Sequence, residues 1–171
     1  PLDRLEHAQL VRPNDRPRLA TAGVVASMQP IHAASDRELV ERCWAGRQAH
    51  AYAFRSLSRA GALLAFGSDA PVESVDPWTG LFAAVHRRFP REAMPDWRPE
   101  EALDAVGALS AYTLGPARAI GARSEGHLRP GARADLAVLD VDLATLLAAE
   151  EPAAAARSQL TLVDGNETHR T

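Results

Sequence analysis

The chain is poor in the features that would sort it quickly. It has a single cysteine, Cys43, in 171 residues. That excludes an internal disulfide framework and CxxC metal sites, and gives a mild preference for a reducing, cytoplasmic compartment. No apolar run approaches the roughly 20 residues needed to span a bilayer. The alanine run 153–156 follows Pro152 and is far too short. Charge of one sign is lacking too. The formal net charge is −3 with a pI near 6.1, and the charges are mixed along the chain, which argues against a nucleic-acid or polybasic membrane surface. There is no internal repeat. What is present is 46% hydrophobic residues, enough for a real core in a length that ordinarily makes one domain. The sequence starts at Pro1 without Met and goes at once into Leu2-Asp3-Arg4-Leu5-Glu6-His7. This reads as an entry into the middle of a fold, so the expectation is a piece of a longer protein, and the absence of a signal peptide here carries no information about the parent.

The rest of the chain is organised around Leu63-Leu64-Ala65-Phe66-Gly67-Ser68-Asp69-Ala70-Pro71. A short apolar run reads as a buried strand, stops at Gly-Ser, and presents one carboxylate before Pro71 breaks it. Upstream, Leu2 to His7 reads as a short strand ending on a histidine. Asn14 is placed to cap a helix from Asp15 to about Ala22, which Gly23 stops. Val24 to Met28 reads as a second buried strand, closed by Gln29-Pro30-Ile31-His32 at the start of an enlarged loop. Ser35 or Asp36 then caps a helix through Leu39, Val40 and Cys43, and a further helical pattern carries Tyr52, Phe54 and Leu57 to Gly61. Strands near 2–7, 24–29 and 63–68, all buried and alternating with helices, predict a parallel sheet covered on both faces.

Beyond Asp69, Pro77 starts a helix through Leu81 and His86. Pro99 starts what reads as the clearest helix, with Glu100 and Glu101 in its first turn and Leu103, Val106 and Leu109 along one face. Leu114 to Ile120 is a short helix stopped by Gly121. The texture then changes. Gly126 to Gly131 reads as a strand end and turn, Asp135 to Asp140 and Leu160 to Val163 as strands, and Asp164-Gly165 as a hairpin turn into Glu167 to Arg170. Residues 144–149 read as helix or loop. This tail is too small to stand alone and needs a partner sheet.

His7 and Asp69 fall at the carboxyl ends of parallel strands, two strands apart. Imidazole and carboxylate together are the ligand set of zinc and related divalent ions. Each also has a plain structural reading, His7 as a packed or solvent-facing ring and Asp69 as the cap of a turn.

Arg4-Leu5-Glu6-His7-Ala8-Gln9, Ser27-Met28-Gln29-Pro30-Ile31-His32 and Phe66-Gly67-Ser68-Asp69-Ala70-Pro71, in this order and at these distances, resemble the C-terminal third of the metal-dependent amidohydrolases. The branch they are most similar to is that of the N-substituted formamide deformylases. Gly126 to Asp140 resembles that family's return strand, Gly-x-Leu-x-Pro-Gly-x-x-Ala-Asp-Leu-x-Val-Leu-Asp. The resemblance implies an α/β fold: the last part of a (β/α)8 TIM barrel, strands six to eight, over residues 1–121, and the C-terminal strands of a composite β-sandwich over 122–171. It implies a hydrolase cleaving a C–N bond of an amide, formamide or cyclic amide outside peptides, with one or two divalent ions, zinc first. His7 would be a metal ligand, and Asp69 both a ligand and the group that takes the proton from the attacking water. Gln29 and His32 would contact substrate. Glu6 and Gln9 read as hydrogen-bond partners beside the ligand position. Trp44, Trp78 and Trp97 lie near that end, where one could line an apolar pocket. His50, His86, His127 and His169 read as structural or solvent-facing, and Ser68 lacks the elbow of a nucleophile.

The family's His-x-His pair, its bridging carboxylate or modified lysine and its fifth-strand histidine are absent, as are five barrel strands. A catalytic zinc needs about three protein ligands, so the expected partners are the missing N-terminal portion of the same protein and a small amide-type substrate. No nucleic acid and no membrane are expected, and a homodimer is left open. Two other readings stand beside this one: a non-catalytic piece contributing structure to an assembly, and a barrel lactonase or esterase.

Overall fold

The computed structural model describes residues 2–171. Three short strands, β1 (Arg4–Glu6), β2 (Val25–Met28) and β3 (Leu64–Phe66), lie side by side in that order and all run parallel. Glu6 is level with Ser27, and Met28 with Phe66, so the three strands finish at one edge. β2 and β3 are buried as expected, but β1 is exposed at all three residues. The expectation of three buried strands therefore fails for the first. β1 is the edge of the sheet, with a neighbour on one side only, and Leu2 and Leu5 beside it are 46% and 42% exposed.

Helices join the strands. After a 3-10 turn at Pro13–Asp15, α1 (Arg16–Ala22) runs to Gly23, whose φ of 67° closes the helix in the left-handed conformation that glycine adopts without a steric penalty. Asn14, expected to cap, lies inside the 3-10 turn, and α1 has no side-chain cap. Behind β2 the chain turns directly into α2 (Pro30–Ser35), where a loop was expected; Pro30 occupies the first helical position it favours, and residues 30–34 are buried. α3 (Arg37–Cys43) follows, then α4 (Phe54–Arg59). Asp36 does not cap α3, because its carboxylate is held by Gln9 and Tyr52.

After β3, α5 (Pro77–His86) is capped by Asp76, which accepts from the backbone N–H groups of Trp78 and Thr79. The helix expected from Pro99 does not form there. Pro99–Glu101 is one 3-10 turn, Ala102 returns to extended backbone, and α6 (Ala105–Tyr112) starts behind Asp104, which accepts from Gly107 N–H. The reason is tertiary. Glu101 is buried and turned onto Ser56, accepting from its N–H at 2.9 Å and its hydroxyl at 2.7 Å, so it cannot occupy a solvated first turn. Val106 and Leu109, expected on the core face, are 71% and 38% exposed. α7 (Leu114–Ile120) lies tightly on β3, since a Cβ on Gly115 would sit 2.0 Å from the Leu64 carbonyl oxygen.

The remainder forms a second sheet. β4 (Leu136–Leu139) is followed by α8 (Leu143–Ala148) and α9 (Pro152–Ala155), then β5 (Ser158–Val163) and β6 (Asn166–Arg170), paired antiparallel in the order β4-β5-β6. Asp164 and Gly165, both at positive φ, make the tight turn. Gly126 to Gly131, expected to contain a strand end, is turn and bend without strand. α8 folds back on the first unit: Leu147 joins the core that holds Met28, Phe54, Phe66 and Phe82, and its carbonyl oxygen is 3.0 Å from His86 Nε2. Among the described residues no helix is long and apolar enough to cross a membrane.

Candidate metal centre

The common edge of the parallel sheet carries the side chains of interest. His7 follows β1, Gln29 and His32 follow β2, and Asp69 follows β3. His7 and Asp69 both take positive φ, 64° and 60°, a left-handed conformation that is uncommon outside glycine and costs about 1–3 kcal/mol. These turns end each strand abruptly and keep its last side chain at the sheet's edge. One ligand atom from each of His7, His32 and Asp69 lies within 4.8 Å of the other two. His32 Nε2 is 3.9 Å from Asp69 Oδ2, and the two imidazoles stack with 6.1 Å between centroids.

Two details bear on what this cluster can hold. His7 Nδ1 lies 3.0 Å from Gln29 Oε1. An amide oxygen only accepts, so Nδ1 carries the proton and Nε2 keeps its lone pair. His32 is 7% exposed, and its buried Nε2 has no hydrogen-bond partner among the described residues. A buried nitrogen left unpaired beside a carboxylate fits a cation held between the two. Two imidazoles and a carboxylate are a donor set suited to zinc and related divalent ions. The chain contains no lysine, so no modified-lysine ligand can come from it.

Of the residues singled out in the sequence, His7, His32 and Asp69 are brought together. His32 sits in the first turn of α2 and not in a loop. Gln29 is buried and its amide oxygen is engaged by His7. Glu6 points away to an exposed ion pair with Arg4 at 2.9 Å. Gln9 belongs to a cluster that no sequence motif marks: its Nε2 donates to Tyr52 Oη at 2.8 Å and to Asp36 Oδ2 at 3.2 Å, while Tyr52 Oη donates to Asp36. Burial, and then the bond to Asp36, push the Tyr52 phenol well above its ordinary pKa. A pocket of about 290 Å³ opens here, walled by His7, Gln9, His32, Asp36 and Glu73 among others. A larger cavity of about 690 Å³ lies at the amino ends of the strands, against Leu2, Leu63 and Arg118, away from this cluster.

The tryptophans do not line the pocket. Trp97 is buried, with Nε1 donating to Glu41 at 2.9 Å, and Trp44 and Trp78 pack against the core.

A model of the amidohydrolase family matches residues 1–169. The protein LONG AFTER FAR-RED 3 of Arabidopsis thaliana is 36% identical over 142 residues, covering 81% of this chain and 24% of that protein. The N-substituted formamide deformylase of Arthrobacter pascens is 37% identical over 143 residues, covering 81% of this chain and 26% of the deformylase. A solved structure of a metal-dependent hydrolase from Pyrococcus horikoshii superposes with a TM-score of 0.74 at 37% identity, over 86% of this chain and 30% of that one. The chain thus spans about a quarter of the length of these curated relatives.

Proposed function

The chain belongs to the amidohydrolase family, and from that membership we propose that it is the C-terminal portion of a metal-dependent hydrolase that cleaves the C–N bond of a small amide, formamide or cyclic amide. The observation that carries the reading is the convergence of His7, His32 and Asp69 from the ends of three adjacent parallel strands. In this reading the three strands are the last of a (β/α)8 barrel, the family's architecture, and β4–β6 contribute to an accompanying sandwich. The short share of the relatives' length covered here supports further ligands coming from the rest of the polypeptide.

His7, His32 and Asp69 would hold a divalent ion, zinc by its donor preference. When bound, that ion supplies Lewis acidity, which polarises a carbonyl and acidifies water. Asp69 accepts the proton of the attacking water as its oxygen adds to the carbonyl carbon, and delivers it to the nitrogen as the C–N bond breaks. The products are a carboxylic or formic acid and an amine, which exchange the acid's proton to leave carboxylate and ammonium. Gln29 holds His7 in the tautomer that leaves Nε2 free, a role of the kind that orients ligating histidines generally.

The test is hydrolysis of an amide series by the full-length polypeptide before and after chelation. Activity lost on chelation and restored by zinc supports the reading. Cleavage of esters with none of the matching amides would overturn the C–N assignment in favour of a lactonase or esterase.

A further inference from the structure

His7 and His32 reach the candidate centre on segments that the sheet alone does not hold. His7 lies beyond β1, an edge strand, and both it and Ala8 take positive φ, 64° and 42°. Two successive non-glycine residues in left-handed backbone persist only where the surroundings over-determine them. His32 stands in α2, a helix of six residues that gives way at Asp36, whose N–H donates to the His32 carbonyl oxygen at 2.9 Å. A third segment joins these two, and its side chain meets them at a single atom.

That atom is Tyr52 Oη, which donates to Asp36 Oδ2 and accepts from Gln9 Nε2 at 2.8 Å. Gln9 also donates to Asp36 Oδ2 at 3.2 Å, closing a triangle between the His7 turn, the end of α2 and residue 52. The backbone is tied in the same sense: Tyr52 N–H donates to the Gln9 carbonyl oxygen at 2.8 Å, and Leu10 bridges Ala51. Tyr52 is 1% exposed, with its ring set edge-on to Phe54 and Trp97. It too has positive φ, 47°, an outlier for a bulky residue. Arg98 pins the segment before it, donating to the carbonyl oxygens of Gln48, Ala49 and Ala51. A buried ring on a pinned backbone cannot follow its partners. They are set by it.

We infer that Tyr52 is a positioning residue for the metal centre, whose hydroxyl fixes the His7 turn against the end of α2 and so sets the gap between the two imidazoles before an ion arrives. The inference rests on the metal-centre reading above. Tyr52 is not itself a ligand, since its hydroxyl is engaged by Asp36 and Gln9. Gln29 determines which His7 nitrogen is free, whereas Tyr52 determines where the ring stands. Positioning in advance removes an ordering cost from binding, so its loss weakens affinity and loosens the geometry around the bound ion.

The experiment measures zinc affinity by competition with a chelating dye, and the visible spectrum of the cobalt-substituted protein, in the full-length polypeptide and its variants. Tyr52→Phe keeps the ring and removes only the hydroxyl. Its zinc affinity should fall about tenfold, the lower end of what losing an outer partner of a ligating histidine costs, and its saturated cobalt bands should shift. Gln9→Met cuts the same link from the other side and should match it, and the double variant should lose no more than either alone. Phe54→Leu loosens the same packing with the hydroxyl links intact. It should lower the thermal midpoint while leaving affinity and spectrum at their wild-type values. Wild-type affinity and spectrum in Tyr52→Phe would overturn the inference and leave the metal centre standing, as would an equal loss in Phe54→Leu. A wild-type protein that binds neither zinc nor cobalt would overturn the metal-centre reading, and the inference with it.

Discussion

His32 Nε2 lies 3.9 Å from Asp69 Oδ2, too far for a hydrogen bond and near enough for both atoms to serve one cation. His32 is buried and its nitrogen has no other partner among the described residues. If the pair holds a metal, His32→Ala removes a ligand where nothing nearby replaces it. Metal affinity of the full-length polypeptide should fall at least tenfold, read by competition with a chelating dye. Unaltered affinity would return His32 to a purely structural role.

Gln29 is expected to act on the metal through His7. Gln29→Ala leaves His7 Nδ1 without its 3.0 Å acceptor, and metal affinity should drop about 10- to 100-fold, the usual effect of losing the partner that orients a ligating histidine. Gln29→Glu keeps an acceptor and should restore most of the loss. Equal affinity in all three proteins would remove Gln29 from the centre.

Glu101 gives a stability prediction remote from the site. It is 4% exposed, accepts two hydrogen bonds from Ser56, and lies within 3.9 Å of Arg16 and 3.8 Å of Arg98. Glu101→Ala leaves Arg16 without its carboxylate and Ser56 without its acceptor, while Arg98 keeps Glu100 at 3.2 Å, and should destabilise by about 3 kcal/mol. Glu101→Gln preserves an acceptor for Ser56 and should cost clearly less. Denaturant midpoints distinguish the two.

Arg87 is the converse case. It is fully buried, its two terminal nitrogens have no partner among the described residues, and only Nε is engaged, donating to the Trp97 carbonyl oxygen at 3.2 Å. Its guanidinium lies over the Phe54 ring, 4.6 Å from the centroid. Burial first, and then the charge of Arg98, pull its pKa down to about 9. At neutral pH the group is still charged, so the folded state carries its desolvation penalty. Arg87→Met fills similar space without that charge, and should be neutral or stabilising by up to about 4 kcal/mol. A thermal midpoint lowered by the substitution would show that the ring contacts outweigh the penalty.

Much of the fold was legible because short-range chemistry decides it. Gly23 and Gly121 end helices where left-handed backbone is needed, Pro77 starts one, and the apolar runs at Val25 and Leu64 are too short for anything but buried strands. Tertiary demand decided the rest. Pro99-Glu100-Glu101 looks like a helix start in sequence, but Ser56, 45 positions away, claims Glu101. Pro30-Ile31-His32 reads as a loop after Gln29 until the helix it begins is seen packing its residues into the core. At the candidate centre, His7 and Asp69 could be named from their places after apolar runs, whereas His32 was expected only to contact substrate; its approach to the other two depends on strand order and on the first turn of α2. Asp36 and Tyr52 carried no signal, since neither stands at a strand end and their bond joins helix termini to a distant loop.

The most direct test of the metal centre is anomalous diffraction from crystals of the full-length polypeptide, with data collected on both sides of the zinc absorption edge. One strong peak is expected about 2.0–2.2 Å from a nitrogen of His7, a nitrogen of His32 and an oxygen of Asp69. A zinc-replete crystal showing no peak between these residues, or a peak coordinated without His7 and Asp69, would contradict it.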